Sequence, residues 1–453
     1  MYRHTRCHQR WHSGWCRVNA PWKVLGSGPL VGEFVVNGDK SVSHRSLLIG
    51  ALCDGPVEVE GWGDSADTRA TLEAVRALGV QIDDHGAGRL TVHGVGLTGL
   101  KPPVGAIDVQ NAGTLMRLLS GILAMQPSGV FTLDGDASIR TRPMERVAGP
   151  LRAMGASIET TAGCPPVVVQ GGQKLVGMEH VMEVSSAQVK SALLLAALRA
   201  DGPTTVVEAT ATRDHTERML RAAGATVHTT GGRVVINPVE RLQLDKIEVP
   251  GDISSAAFLI VAATIIPESR IFLRSIGIGA GRTGVLDVLE RMGARVALFN
   301  RRTTEAGEPV ADLEIAHAEL SATSIRPEEI PSLVDELPIL ALAGCVAHGR
   351  TRVRGADELR VKESDRLQSV RDALRSVGGH IEVKDDGWFI RGVPVRLRGG
   401  TVESHGDHRI AMLGAIAGLY SEQGVTIIDP DAINVSFPGF RPMIEAAIAV
   451  RRS

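Results

Sequence analysis

Aromatic residues are scarce. Two Tyr, five Trp and eight Phe make up 3% of the 453 residues, so the core must be filled mostly by Ala, Leu, Val and Ile. Cysteine is also sparse: Cys7, Cys16, Cys53, Cys164 and Cys345 are odd in number, widely spaced and never in a CxxC pair. That excludes a disulfide scaffold and a zinc ribbon, and it fits a reducing cytosol. No charge of one sign dominates, and the formal net charge of −2 argues against a dedicated nucleic-acid binder. The longest apolar stretch, Ala256 to Pro267, has 12 residues, too short to span a bilayer. The first residues lack the apolar segment of a secretory signal, and a plastid form would need a longer Ser-rich leader. What is present is an ordinary soluble balance, 43% apolar and 22% charged. That content rules out disorder as the main state, and the length suits two or three domains of roughly 150 residues.

Residues 1–22 stand apart. No acidic residue precedes Glu33, and three of the five Trp precede Lys23. His4, His8 and His12 would align on one helix face, so a metal site with Cys7 or Cys16 is one reading. A disordered basic extension, or a translation start assigned too early, is the reading adopted, and the stretch is excluded from the fold.

The rest of the chain repeats. Each unit has a small-residue apolar helix, a strand, an amphipathic helix ending at Gly, and further strand. Six such units begin near Leu47, Leu118, Leu193, Ala257, Ile339 and Ala411. The helix-ending glycines Gly79, Gly155, Gly224, Gly293 and Gly378 recur at intervals of 76, 69, 69 and 85 residues, each at an expected C′ stop. Gly38-Asp39 before unit one matches Gly251-Asp252 before unit four, 213 residues later. The simplest reading is two halves of three units, of α/β or α+β class, with the apolar helices buried inside the sheets.

Polar turns open these buried helices: GDKSVSHRSLL, NAGTLMRLL, SSAQVKSALLL and GDHRIAMLGAI. Asp, Asn or Ser there can cap the helix. Free N–H groups and the positive dipole end can also hold an anion. Lys40, Arg45, Arg117, Lys190 and Arg409 add positive charge in or just after these turns. Only 8 of 49 basic residues are Lys, and three of them (Lys40, Lys190, Lys362) fall in the motifs. In Arg360-Val361-Lys362-Glu363-Ser364-Asp365-Arg366, Lys362 and Arg366 would share a helix face at i, i+4. A bound anion would relieve that like-charge pairing. Glu363 and Asp365 neutralising them as a surface network is the alternative. Arg213 and Glu217 also read simply as an i, i+4 pair.

Two phosphate-loop patterns are set aside. Gly32 to Ser41 has five residues between its glycines, and Asp39 interrupts the Gly-Lys that a Walker loop needs. Gly279-Ala280-Gly281-Arg282-Thr283-Gly284 is a GxGxxG with Asn300-Arg301-Arg302 after the next strand. A nicotinamide site there is a minor reading, because the repeat already explains that turn.

Ten motifs in series, GDKSVSHR, NAGTLMR, RTRPM, SSAQVKSALLL, RDHTERML, PGDISSAAF, VDELP, ELRVKESDR, GDHRIAM and SFPGF, resemble the 5-enolpyruvylshikimate-3-phosphate synthase (3-phosphoshikimate 1-carboxyvinyltransferase) family of enolpyruvyl transferases. The likeness runs from about Leu25 to Ile448. It implies an inside-out α/β barrel: two similar domains, each of three βαβαββ units around buried helices. The N-terminal segment would join the C-terminal half. The domains would be residues 23–38 plus 250–453, and residues 39–249.

The resemblance implies transfer of the carboxyvinyl group of phosphoenolpyruvate to the 5-hydroxyl of shikimate 3-phosphate. Phosphate leaves, and the step lies on the shikimate pathway to chorismate and the aromatic amino acids. It implies no cofactor and no metal, and a cytoplasmic monomer that binds neither nucleic acid nor membrane. Lys40, Ser41, Arg45, Ser186, Gln188, Arg213, Asp335 and Lys362 would hold shikimate 3-phosphate. Lys40, Gly113, Arg142, Gln188, Arg366 and Arg409 would hold phosphoenolpyruvate. Asp335 would take the hydroxyl proton, and Glu363, helped by Lys40, would handle the proton at the methylene carbon. The alternative for Asp335 is a structural cap before Leu337-Pro338.

Three positions depart from the family or leave its inhibitor response open. Asn37 stands where Pro is usual, which is expected to loosen the crossing between halves. Val435 stands where some members carry a Lys toward phosphoenolpyruvate. SAQVK with RDHTE looks like the glyphosate-tolerant subset, whereas Gly113 is typical of sensitive forms. Two rivals are weighed. UDP-N-acetylglucosamine enolpyruvyl transferase carries a reactive Cys before its Arg-Pro, and residues 135–143 here hold none. A non-enzymatic anion-binding repeat protein would make Asp335 and Glu363 dispensable.

Overall fold

The computed structural model describes residues 20–449, so the histidines and cysteines of the suggested N-terminal metal site lie outside the described residues. Twelve helices fall in pairs among those residues. They are α1 (Lys40–Leu52) and α2 (Ala66–Ala77), α3 (Gly113–Ala124) and α4 (Glu145–Ala153), α5 (Ala187–Ala197) and α6 (His215–Ala222), α7 (Ile253–Ile265) and α8 (Gly284–Arg291), α9 (Leu337–Val346) and α10 (Arg366–Ser376), α11 (His408–Leu419) and α12 (Phe440–Ala449).

The first helix of each pair is apolar on nearly every side and has no wet face. Every residue of α7, α9 and α11 is buried, as is α1 from Val42 on. Each Leu, Ile, Val or Phe so removed from water contributes roughly 1.5–3 kcal/mol. The second helix is amphipathic and closes the outside of its unit. Gly79, Gly155, Gly224, Gly293 and Gly378 end five of these at φ between +90° and +102°, the left-handed stop expected of them.

Each pair sits on its own sheet, and the sheets share one plan. In the second unit, Ile107–Asp108 lies parallel to Val130–Asp134. Cys164–Gln170 and Ser157–Thr161 then complete an antiparallel hairpin. The third and fifth units repeat it. The first and fourth units borrow their parallel strand from far along the chain. Lys246–Glu248 pairs with Asp54–Glu60, and Val31–Phe34 pairs with Arg270–Gly277. The sixth sheet has three strands, and Trp22–Val24 runs antiparallel to Val425–Ile428 in the hairpin position. The fold is therefore mixed α/β, built of six βαβαββ-type units around buried helices.

Two apolar clusters result. One gathers buried residues of the segments 22–34 and 253–444. The other gathers those of 42–249, with Ala306 from the hairpin of the fourth unit. The chain passes between them twice, side by side, where Gly38 bridges to Gly251.

Two expectations change here. Trp22, grouped above with the extension, begins a strand and packs edge-on against Phe440 at 6.4 Å, because buried apolar surface holds it. Asn37 ties the crossing rather than loosening it: its Nδ2 donates to the Ser436 carbonyl at 2.7 Å, and its own carbonyl accepts from Asp252 N at 3.0 Å.

Candidate active site

The openings of α1, α3, α5, α7 and α11 converge with the segments 327–335 and 355–366 on one cavity of about 360 Å³. Asp39, Asp252 and Asp407 cap α1, α7 and α11, each accepting a first-turn backbone N–H at 2.9–3.0 Å. Helices α3 and α5 have no side-chain cap. Their first residues, Gly113-Thr114 and Ala187-Gln188, line the cavity instead. Unsatisfied N–H groups at such ends favour anions.

All thirteen residues to which the resemblance gave a substrate or catalytic role line this cavity: Lys40, Ser41, Arg45, Gly113, Arg142, Ser186, Gln188, Arg213, Asp335, Lys362, Glu363, Arg366 and Arg409. In all, ten Lys or Arg side chains and five carboxylates face it. Such an imbalance in a recess needs anionic ligands to relieve it.

The two carboxylates of interest are each surrounded by guanidinium. Asp335 Oδ2 accepts from Arg213 at 2.6 Å, with Arg409 at 3.7 Å, and Oδ1 lies 3.5 Å from Arg366. Burial alone would raise its pKa, but Arg409, Arg213, Lys362 and Arg366 outweigh burial and hold it well below the usual range. Glu363 accepts from Arg366 at 2.6 Å and lies 3.9 Å from Arg142. Burial opposes ionisation there too, and Arg366 leads the charges that overcome it. Lys40 Nζ is held by Asp67 at 2.8 Å; burial works against its charge, and Asp67 and Glu363 restore it.

A second group surrounds Gly113. A Cβ there would come 3.1 Å from both Arg117 and Arg142. Arg117 donates to Gln188 Oε1, and Gln188 Nε2 donates to Thr114 at 2.9 Å. Burial, with Arg142 and Arg146 nearby, lowers Arg117 to about 10. Arg146 reaches across to Glu358 at 3.4 Å, and Lys362 approaches the same carboxylate at 3.5 Å.

Some local readings fail. Lys190 does not face the cavity: it is buried between Glu208 at 2.8 Å and Glu217 at 2.7 Å, so it is a core ion pair. Glu217 is thus taken by Lys190 and Arg213 by Asp335, and the i, i+4 pairing of the two does not form. Lys362 and Arg366 do not share a helix face. Asp365 caps Leu367 and Gln368, so α10 starts only at Arg366 and Lys362 stays extended. Both carboxylate neighbours are nonetheless engaged, Glu363 with Arg366 and Asp365 with Arg360. Of the GxGxxG turn only Arg282 lines the cavity, and its guanidinium is taken by Asp39 and Asp252, each at 2.7 Å.

Ionisable lining residues given no substrate role from the sequence include Asp67, Arg146, Arg282, Glu358 and His408. His408 was the most readable, being inside the GDHR turn. It is buried, neither ring nitrogen has a partner, and burial with Arg409 lowers it to about 3. Asp67 and Arg146 gave no local signal, and Arg282 stood in the GxGxxG turn that was set aside.

A family model described as EPSP synthase (3-phosphoshikimate 1-carboxyvinyltransferase) matches residues 24–444. A 3-phosphoshikimate 1-carboxyvinyltransferase of Methylococcus capsulatus is 49% identical over 421 residues, 92% of this chain and 95% of that one. One of Halorhodospira halophila is 48% identical over 421 residues, covering 92% and 94%. The structure of EPSP synthase from Acinetobacter baumannii superposes with a TM-score of 0.85 at 43% identity, covering 94% of this chain and 97% of that one. With fold and sequence agreeing over nearly the whole length, the chain belongs to the EPSP synthase (3-phosphoshikimate 1-carboxyvinyltransferase) family.

Proposed function

We propose that this cavity transfers the carboxyvinyl group of phosphoenolpyruvate to the 5-hydroxyl of shikimate 3-phosphate. A C–O bond forms at the substituted carbon of phosphoenolpyruvate, and its phosphate departs. The observation that carries the reading is a pair of carboxylates, Asp335 and Glu363, embedded in guanidinium within a recess whose excess charge is positive.

Two phosphates and two carboxylates must meet in one place, and a cation-rich pocket with pre-set donors makes that possible. Shikimate 3-phosphate would lie against Lys40, Ser41, Arg45, Ser186, Gln188, Arg213 and Lys362. Phosphoenolpyruvate would lie against Lys40, Gly113, Arg142, Gln188, Arg366 and Arg409. Asp335 takes the hydroxyl proton. Beside Arg409, Arg213 and Arg366 it is a weak base, because they stabilise its charge. The same arginines turn to substrate oxygens when those arrive, and the carboxylate then becomes more basic. Glu363, with Lys40 beside it, handles the proton at the methylene carbon.

The proposal includes two moving domains, residues 23–38 with 250–453, and residues 39–249, whose separate apolar clusters support the division. It also includes action as a cytoplasmic monomer. The described cysteines are free, as a reducing compartment requires.

The test is phosphate release from phosphoenolpyruvate in the presence of a metal chelator, with shikimate 3-phosphate in one arm and UDP-N-acetylglucosamine in the other. Release with shikimate 3-phosphate alone is expected. Release with the nucleotide sugar instead, or with neither acceptor from folded protein, would overturn the assignment.

A further inference from the structure

Arg282 lies in the glycine-rich turn before α8, outside the ten motifs that carry the resemblance. It is 4% exposed, and its Nη2 donates both to Asp39 Oδ2 and to Asp252 Oδ1, each at 2.7 Å. These are the two aspartates of the matched Gly-Asp pairs. Asp39 Oδ1 accepts from Val42 N at 3.0 Å and so sets the first turn of α1. Asp252 Oδ1 accepts from Ser254 N at 2.9 Å and sets the first turn of α7. The backbone repeats the link, with Asp39 N donating to the Pro250 carbonyl at 2.7 Å. One guanidinium thus joins both chain crossings and the starts of two buried helices.

Without it, two buried carboxylates would face each other with no positive charge between them, an arrangement that low-dielectric surroundings penalise heavily. The residue directly after Asp39 is Lys40, whose Nζ is anchored on the opposite side by Asp67 at 2.8 Å. The direction in which Lys40 leaves the helix is therefore set by a turn that Arg282 holds. The turn carrying Arg282 also abuts Thr212 and Arg213: a Cβ on Gly281 would lie 3.4 Å from their backbone.

We propose that Arg282 is a positioning residue for the transfer reaction: by holding Asp39 and Asp252 together it fixes the first turn of α1 and so places Lys40 for both substrates. This rests on the reading above that Lys40 engages phosphoenolpyruvate and shikimate 3-phosphate.

A double-mutant cycle on the full chain tests it, using phosphate release and thermal melting. The background is Arg282→Met with Asp252→Asn, which removes the guanidinium without leaving two facing charges. It is expected to melt near the wild type, while kcat/KM for both substrates falls at least about 10-fold. Lys40→Ala in the wild type is expected to cost at least about 100-fold, but less than about 10-fold in that background, because Lys40 is already misplaced there. Should the double variant not fold, Arg282→Lys carries the same cycle. A Lys40→Ala cost that is equal in both backgrounds, or a background with wild-type kcat and KM, would overturn the proposal. Wild-type protein in which Lys40→Ala costs nothing would instead remove the Lys40 reading itself, a separate failure visible in the first arm.

Discussion

Arg213 donates to Asp335 at 2.6 Å across 122 residues of sequence, joining the lead-in of α6 to the lead-in of α9. The first belongs with the apolar cluster of residues 42–249, the second with that of 253–444. Both residues line the cavity, and Arg213 is one of the guanidinium groups that hold the Asp335 carboxyl well below its usual range.

Replacing Asp335 with Asn keeps the size of the side chain and removes the proton acceptor. A positioned general base contributes about 10²–10⁴-fold, so kcat should fall by that factor. KM for shikimate 3-phosphate should move far less. Steady-state phosphate release over both substrates gives the two numbers. Retention of a tenth of the wild-type kcat would leave Asp335 only as a countercharge to Arg213, Arg366 and Arg409, since it makes no cap bond to α9.

Gly113→Ala should act on phosphoenolpyruvate selectively. The new methyl would press on Arg117 and Arg142 at 3.1 Å. KM for phosphoenolpyruvate is expected to rise about 10-fold with kcat changed less than about threefold, the pattern of lost ground-state binding. An unchanged KM would show that phosphoenolpyruvate sits elsewhere.

Acid should weaken the fold in two stages. Burial lowers His44 and lowers His408 to about 3. The folded state then holds these protons less well than the unfolded chain, whose histidines titrate near 6.5. This contribution is complete above about pH 6.5 and is lost as pH falls toward the folded values. Each histidine costs about 1.4 kcal/mol per pH unit in that window. Below about pH 4 the depressed carboxyls of Asp335 and Glu363 add to the loss. Urea midpoints at pH 7.5, 6.5, 5.5 and 4.5 should show a plateau and then a decline; a flat profile to pH 4.5 would contradict the burial argument.

Lys190→Met leaves Glu208 and Glu217 buried with no countercharge. Breaking a buried pair from one side costs about 3–5 kcal/mol, so a large fall in melting temperature is expected. Because Lys190 does not line the cavity, any folded fraction should bind phosphoenolpyruvate with wild-type affinity by calorimetry. A large affinity loss would restore Lys190 to the anion site.

Shikimate 3-phosphate should protect residues 38–41 and 250–254 from hydrogen exchange, because a ligand spanning both halves favours the closed form. Mass-spectrometric exchange with and without ligand reads this directly. Identical exchange in both samples would argue against closure.

Features that depend on near neighbours were legible from the residues alone. Six units, small-residue helices with no wet face, glycine stops and polar turns that carry cations all arise within a few residues of chain. The ten motifs were enough to name the thirteen residues that meet in the cavity. Tertiary structure alone decided which charges are spent on one another. Lys190 sits in a turn of the same type as Lys40, yet Glu208 and Glu217 from neighbouring elements neutralise it, whereas Arg117, bonded to the neutral Gln188, keeps its charge toward the cavity. The Asp365 cap, competing with a longer helix, separated Lys362 from Arg366. Arg282 finds Asp39 at a separation of 243 residues, and the first and fourth sheets borrow strands from the opposite ends of their halves. Composition and spacing report local preference. The partner of a charge is set by which units pack face to face, and that is decided only when the whole core closes.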